Sequence, residues 1–181
     1  MEVWNQDNYI KAWNYASSIH NGQFLPGSDI PYINHLSLVA METMSGIANS
    51  DGITSPDLAV LCALLHDSIE DTEATFEDIK TEFGIDVANG VLALSKNTDL
   101  PTKEEQMIDS LKRIQDQPKE VWMVKLSDRI TNLQPPPKHW EKPKITKYRK
   151  EAILILDNLG SANEYLADRL SHKIENYAQY E

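Results

Sequence analysis

An almost entirely apolar segment near the middle of the chain turns abruptly into a histidine and three acids. Residues 58–65 are all apolar, and His66, Asp67, Glu70 and Asp71 follow within six positions. At about 100° per residue along one helix, these four side chains share less than half of the circumference. An imidazole and three carboxylates at the end of a buried helix repel and desolvate one another unless a cation compensates them. The pattern indicates a divalent metal site, although a helix end that simply reaches the surface would also expose such residues.

Two further positions offer matching metal ligands. His35 lies on an otherwise apolar helix face, and Asp128 ends a hydrophobic stretch. Taken alone, His35 is more simply a hydrogen-bonded core histidine, and Asp128 is half of an intrahelical ion pair. With His66 and Asp67 they provide two imidazoles and two carboxylates. That set suits Mn²⁺, Mg²⁺, Fe²⁺ or Zn²⁺, with positions left open for water and substrate.

The composition limits the classes of protein and partner. The chain has 181 residues, with 17 Lys and Arg against 28 Asp and Glu, which gives a net charge of −11. This acidity argues against binding to nucleic acid or an anionic membrane, and no apolar run approaches the roughly 18 residues of a membrane span. The single cysteine, Cys62, excludes a disulfide framework and a cysteine-rich zinc site. We expect a cytoplasmic protein with a small-molecule partner, and the oligomeric state stays open.

The elements that must position these residues are helices. Strand-like alternation is nearly absent, and Thr75 and Thr102 each begin a typical helix-capping sequence. Without a repeat or an interdomain linker, the chain is predicted to be one all-α domain over residues 1–181. The predicted helices cover about residues 7–21, 32–48, 55–70, 75–83, 86–95, 102–115, 118–134, 143–159 and 161–178.

In order and spacing, the candidate ligands resemble the HD phosphohydrolase superfamily. The pattern is His35, then His66-Asp67, then Asp128. The longer sequence His-Asp-Ser-Ile-Glu-Asp-Thr at 66–72 and Lys-Leu-Ser-Asp-Arg-Ile-Thr-Asn at 125–132 resemble the hydrolase domain of RelA/SpoT proteins. The resemblance runs from about residue 8 to 160. The chain therefore resembles a stand-alone small alarmone hydrolase and is similar to the metazoan SpoT homologues.

The resemblance implies a fold, a cofactor and a reaction. The fold would be an HD-domain bundle of about ten helices, and the metal is usually Mn²⁺. The reaction would remove pyrophosphate from the ribose 3′ position of (p)ppGpp or a related purine nucleotide. Glu70 and Asp71 match the acidic pair that prepares the attacking water, and a general-base role suits Glu70. The metal ligands implied are His35, His66, Asp67 and Asp128.

Substrate contacts are implied in the second half of the chain. Asn132 matches a substrate-contacting asparagine, Tyr148 matches a substrate-side tyrosine, and Lys144 stands where relatives often carry arginine. Positive charge is concentrated in residues 138–150, where a polyphosphate could bind, although a solvated basic surface would look the same. Lys125 is predicted either to contact a phosphate or to pair with an acid.

One loop departs from the family pattern. Relatives usually have the sequence Gly-Gln-x-Arg or another basic residue nearby. This chain has Gly22-Gln23-Phe24-Leu25 at the same place. Phe24 or Leu25 could pack against any purine, so guanine and adenine alarmones, (p)ppGpp and (p)ppApp, are both candidate substrates. The alternatives are an HD phosphohydrolase acting on a 5′-nucleotide, a dNTP or NADPH, and a nucleotide sensor without turnover. The Glu70-Asp71 pair argues against the sensor.

Overall fold

The computed structural model describes residues 4–181, and the regular secondary structure of this part of the chain consists of helices joined by loops. Nine α-helices of eight residues or more and one four-residue helical turn follow one another, with two short 3₁₀ turns and no strand among these residues. The prediction of an all-α fold with about ten helices is confirmed. The helices are α1 (Gln6–Ile19), α2 (Ile33–Ala48), α3 (Pro56–Leu65), α4 (Ser68–Asp71), α5 (Phe76–Phe83), α6 (Ile85–Leu94), α7 (Lys103–Gln115), α8 (Lys119–Asn132), α9 (Lys142–Leu159) and α10 (Glu164–Tyr177).

The core is built around α3, which packs against α1, α2, α6 and α8. All eight residues from Leu58 to Leu65 are buried. A helix that is apolar on every face is stable only when other helices surround it. The polar residues that follow Leu65 therefore begin in the centre of the molecule.

The predicted helix over residues 55–70 is interrupted, and the prediction that its four polar side chains share one continuous helix is wrong. Helix α3 ends at Leu65, His66 and Asp67 form a turn, and α4 begins at Ser68. Asp67 adopts φ −95° and ψ 0°, in the sparsely populated region between helix and strand where many active-site residues lie. The turn changes the direction of both side chains relative to the regular helical spacing, and both approach His35 of α2.

Helix α6 is held close to the same core. A Cβ atom on Gly90 would lie 2.6 Å from the sulfur of Cys62, so only glycine allows α6 to approach α3 this closely. The end of α6 is fixed by Arg113 of α7, which donates hydrogen bonds of 2.6, 3.1 and 2.8 Å to three main-chain carbonyl groups at residues 92, 93 and 95. The next residue along the chain, Lys96, therefore starts from an anchored backbone.

Two of the predicted helix starts are observed in detail. The Thr75 and Thr102 hydroxyls each accept a hydrogen bond from the main-chain amide three residues later, and the acid at that position bonds back to the threonine amide. No helix between residues 4 and 181 is both long enough and apolar enough to cross a bilayer.

Candidate functional site

The four predicted metal ligands converge at the junction of α2, α8 and the turn after α3. The Nε2 atom of His35 lies 3.4 Å from Asp128 Oδ1 and 3.6 Å from Asp67 Oδ2. The Nε2 atom of His66 lies 2.9 Å from Asp67 Oδ2 and 3.9 Å from Asp128 Oδ1. Residues separated by up to 93 positions in sequence thus present two nitrogens and two carboxylates to one point.

The chemistry of this cluster fits a divalent cation. The Nδ1 atom of His66 is hydrogen-bonded to the carbonyl of Ala63 at 2.9 Å, the contact that typically orients a metal-ligating histidine. Its Nε2 atom is buried and receives no hydrogen bond of good geometry from the described residues, although Asp67 Oδ2 lies 2.9 Å away. One ligand atom from each of His35, His66 and Asp128 lies within 4.8 Å of the other two. These imidazole nitrogens and carboxylate oxygens are ligand types that a divalent cation uses.

The electrostatics of the cluster favour two ionised carboxylates. Burial opposes the ionisation of Asp67, but His66 outweighs it and holds the pKa of Asp67 below its ordinary value. Burial likewise opposes the ionisation of Asp128, and Lys125 and the two histidines lower its pKa well below the ordinary range. Burial lowers the pKa of His66, yet the charges of Asp67 and Asp128 raise it to about 9 overall. Two negative charges in one small volume match the charge of a divalent ion.

Hydrogen bonds from neighbouring side chains orient the two carboxylates. Asn132 donates to Asp128 Oδ1 at 2.5 Å, and Lys125 donates to Asp128 Oδ2 at 3.1 Å. The hydroxyl of Tyr32 donates to Asp67 Oδ2 at 2.7 Å. Asn132, which was predicted to contact the substrate, thus lies beside a candidate metal ligand, and Lys125, which was predicted either to contact a phosphate or to pair with an acid, pairs with Asp128. Supporting bonds of this kind fix ligand orientation in metal sites.

Glu70 and Asp71 are adjacent in sequence but have different partners. Both oxygens of Glu70 are engaged by one residue, Lys96, whose ammonium lies 2.5 Å from Oε1 and whose main-chain amide lies 2.9 Å from Oε2. Asp71 accepts a 3.3 Å hydrogen bond from Tyr32, and burial together with the charges of Asp67 and Glu70 raises its pKa. The Glu70 side chain is held in one orientation by two contacts with Lys96, whereas the raised pKa of Asp71 lets that carboxyl take up a proton more readily than an ordinary aspartate.

A cleft of about 650 Å³ opens beside Asp128 and Glu70. Its walls come from α7, α8, α9 and the segment after α6, and they combine six cations with two aromatic side chains. This composition suits a polyanion attached to a ring system. Besides Glu70 and Asp128, the walls contain Lys96, Thr98, Lys103, Gln106, Met107, Lys125, Arg129, Asn132, Trp140, Lys144, Lys147, Tyr148 and Glu151.

Two predicted substrate residues lie on the wall formed by α9. The Lys144 ammonium lies 4.1 Å from the Trp140 ring centroid, and the Trp140 and Tyr148 rings meet edge to face at 5.2 Å. Burial raises the pKa of Tyr148 to about 12, so its hydroxyl stays protonated at neutral pH. Of the basic segment 138–150, Lys144 and Lys147 line the cleft.

Phe24 lies apart from these walls. Its side chain is 53% exposed, and its backbone pairs with Pro31 across the loop. Gln23 anchors this loop beside the candidate site, because its amide donates to the main-chain carbonyl of Asp71 at 2.6 Å. The proposed contact of Phe24 with a purine base therefore stays a prediction.

Of the six cations of the cleft, sequence reasoning missed Lys96, Lys103 and Arg129, and it included Lys147 only as part of the basic segment 138–150. Lys96 carried a usable signal, because it follows the apolar run 91–94 just as His66 follows 58–65. Arg129 sits next to Asp128, but nothing in its sequence position separates a buried site residue from a surface arginine. Lys103 lies in the first turn of a polar helix and carried no signal.

The fold and the convergent histidines and aspartates define the class to which the chain belongs. Residues 12–163, which make up most of the chain, match the HD domain family. The protein is therefore a member of that family. HD domains bind divalent metals, in agreement with the His-His-Asp cluster described above.

Particular relatives share nearly the whole length of the chain. The guanosine-3′,5′-bis(diphosphate) 3′-pyrophosphohydrolase MESH1 of Xenopus tropicalis is 32% identical over 169 residues, which cover 90% of each chain. The human protein of the same name is 29% identical over 169 residues, again 90% of each chain. A solved structure, described as a metazoan orthologue of SpoT that hydrolyses ppGpp, superposes with a TM-score of 0.80 at 26% identity. The superposition covers 93% of this chain and 94% of the other.

Proposed function

We propose that this protein is a divalent-metal-dependent hydrolase that removes pyrophosphate from the ribose 3′ position of a purine nucleotide such as ppGpp. The observation that carries the proposal is a His-His-Asp-Asp cluster beside a cation-lined cleft, with Glu70 and Asp128 both on the cleft wall. The full-length similarity to proteins named as 3′-pyrophosphohydrolases supports the same reaction.

We assign the metal to His35, His66, Asp67 and Asp128, and we propose Mn²⁺ as the ion used. When bound, a divalent ion lowers the pKa of a coordinated water and neutralises charge on the phosphate oxygens. The mixed nitrogen and oxygen ligand set suits Mn²⁺ but does not single it out among divalent ions.

Glu70 is proposed to accept the proton of the attacking water. Lys96 occupies one lone pair on each of its two oxygens, and the other lone pairs stay free to receive a proton. The water oxygen attacks the phosphorus bonded to the ribose 3′ oxygen, the bond between that phosphorus and the 3′ oxygen breaks, and the 3′ oxygen leaves with a proton. Asp71, with its raised pKa, is suited to orient the water or to supply that proton.

The cleft is proposed to hold the nucleotide. Lys125 and Lys144 offer ammonium groups to phosphate oxygens, and Asn132 offers an amide. Tyr148 and Trp140 present ring surfaces to the nucleoside. Because six cations face only three acids in these walls, the cleft is locally positive within an acidic protein.

Both guanine and adenine alarmones, (p)ppGpp and (p)ppApp, are proposed as substrates. The loop that usually carries a basic residue in relatives has Phe24 and Leu25 here. An apolar side chain can pack against either purine, whereas it cannot select guanine by hydrogen bonding.

The assignment treats residues 1–181 as a single HD hydrolase domain; residues 1–3 lie outside the described part of the structure. We also propose a cytoplasmic location, which agrees with a single cysteine, Cys62, that is buried in the core.

Product analysis tests the reaction. Purified protein with Mn²⁺ and ppGpp is expected to yield GDP and pyrophosphate in equal amounts. Orthophosphate as the product, or faster turnover of a dNTP or NADPH, would contradict the proposal and favour another HD phosphohydrolase. Tight ppGpp binding without any product would indicate a sensor.

A further inference from the structure

Arg129 is a buried cation without a hydrogen-bond partner among residues 4–181. The residue is 5% exposed, and its Nε and Nη1 atoms are both inaccessible to water and unpaired. The nearest carboxylate, that of Glu151, lies 3.8 Å from Nη2, beyond hydrogen-bond distance. A buried, unpaired charged group costs a protein stability, so its retention calls for a partner that these contacts do not include.

The guanidinium group lies where a ligand can reach it. Arg129 lines the 650 Å³ cleft, and its central carbon is 4.4 Å from the ring centroid of Tyr148. Stacking on an aromatic ring fixes the plane of a guanidinium while leaving its edge free to donate hydrogen bonds. The other buried cation of the cleft, Lys125, differs because it is hydrogen-bonded to Asp128.

Arg113 shows how this protein uses an arginine for structure. Its Nε donates to Asp109 at 2.8 Å, and its two terminal nitrogens donate to three main-chain carbonyl groups. All three nitrogens of Arg113 are therefore engaged. Arg129 is more deeply buried, yet none of its nitrogens has a hydrogen bond from the described residues.

We propose that Arg129 is an anion-binding residue whose guanidinium group pairs with a phosphate group of the nucleotide, with Tyr148 stacked against it. The identity of the nucleotide rests on the proposed function, but the binding of a phosphate group at Arg129 does not. A phosphate group supplies the negative charge and the acceptor oxygens that this guanidinium lacks among the described residues.

Binding of inorganic pyrophosphate to the full chain, measured by calorimetry in the presence of chelator, tests this role. Arg129→Met is expected to raise the dissociation constant by at least about tenfold, because charge-assisted hydrogen bonds are lost. Arg129→Lys keeps the charge but not the fork, and an intermediate loss is expected. Lys150→Met removes the same charge from an exposed position outside the cleft walls, and a change of no more than about twofold is expected.

Thermal unfolding without pyrophosphate supplies a second measurement. Because Met removes a buried charge whose nearest carboxylate, that of Glu151, lies 3.8 Å away, Arg129→Met is expected to unfold at the same or a higher temperature than the wild type. A lower unfolding temperature with unchanged pyrophosphate affinity would show that Arg129 is structural and would overturn the inference. If Arg129→Met does not fold, Arg129→Lys decides, and an unchanged affinity in that variant would overturn it.

Two further outcomes separate this inference from the proposed function. An equal loss of affinity in Lys150→Met would mean that pyrophosphate senses only net charge, and the inference would fail. Absence of ppGpp hydrolysis by the wild type, with pyrophosphate binding still lost in Arg129→Met, would refute the proposed reaction and leave the anion site standing.

Discussion

Helix α8 carries two nearly buried carboxylates, Glu120 near its start and Asp128 near its end, and they are stabilised in opposite ways. One Glu120 oxygen accepts three hydrogen bonds, from the Thr54 amide and hydroxyl at 2.9 Å each and from the Ser55 amide at 3.0 Å. Asp128 accepts one hydrogen bond on each oxygen, from Lys125 and Asn132, and in addition shares its surroundings with a second carboxylate and two imidazoles. The first acid is satisfied by the fold, whereas the second is placed where a bound cation would compensate it.

The comparison teaches how to separate a structural acid from a functional one. Burial and charge alone do not distinguish them, since Glu120 is 4% exposed and Asp128 is 7% exposed. The partners do. Neutral donors from an adjacent loop indicate a structural role, and convergent groups with unpaired atoms indicate a site that awaits a ligand.

Asp128→Asn is expected to have the largest effect on activity. Loss of a metal ligand removes both water activation and charge neutralisation, so we expect turnover to fall on the order of 10⁴-fold or more. Metal content measured by elemental analysis should fall with it. The structural reading of Asp128 would be favoured if the variant unfolded at a much lower temperature and kept its metal.

Glu70→Gln is expected to separate chemistry from metal binding. A general base contributes about 10² to 10⁴ in rate, so turnover should drop by about 10³-fold while the bound metal stays stoichiometric. Parallel measurement of kcat and of metal content checks this. Retained turnover would show that Glu70 is not the general base.

Lys96→Met is expected to reduce kcat by about 10- to 100-fold, because supporting partners of site residues contribute effects of that size. Glu70 would lose the ammonium that orients it but keep the main-chain bond from residue 96. Lys96→Arg should recover part of the loss.

The matched control is Lys80→Met, which removes an exposed lysine paired with Glu77 on α5, away from the cleft. Equal activity in the Lys96 and Lys80 variants would contradict a positioning role for Lys96. A change in KM alone would assign Lys96 to substrate binding rather than to the orientation of Glu70.

Glu120→Gln is expected to have the smallest effect, and on stability alone. The hydrogen bonds from Ser55 and Thr54 outweigh burial and hold the pKa of Glu120 below its ordinary value of 4.5. A carboxyl with a lowered folded-state pKa stabilises the protein above its ordinary pKa and loses that contribution as the pH falls through the lowered value.

Denaturant unfolding of the Glu120 variant should show a loss of about 1–3 kcal/mol at pH 7, with a smaller difference from wild type below about pH 4. Activity per folded molecule should be unchanged. A loss of turnover comparable with that of Asp128→Asn would contradict a purely structural role for Glu120.

Much of the site could be predicted from local sequence because its chemistry departs from its surroundings. His66 and Asp67 interrupt an apolar helix, and Asp128 follows a hydrophobic stretch, so each is conspicuous without a structure. The all-α fold followed from helical spacing and from caps such as Thr75 and Thr102. These signals need only a few neighbouring residues to be visible.

The rest depended on long-range packing. Helix propensity does not predict the end of α3 after Leu65. The helix ends where His66 and Asp67 contact residues of α2 and α8. The contact between Lys96 and Glu70 spans 26 positions and depends on α6 docking through Gly90. Arg129 is identified only by what it lacks, namely hydrogen-bond partners in a buried position. Sequence patterns do not report such absences.

The most direct test of the account is ppGpp hydrolysis by wild type and Asp67→Ala, with stoichiometric Mn²⁺ and with excess chelator. The account predicts one bound metal per wild-type chain, pyrophosphate release that stops in chelator and returns with Mn²⁺, and neither metal nor turnover in Asp67→Ala. Equal pyrophosphate release in excess chelator would contradict it.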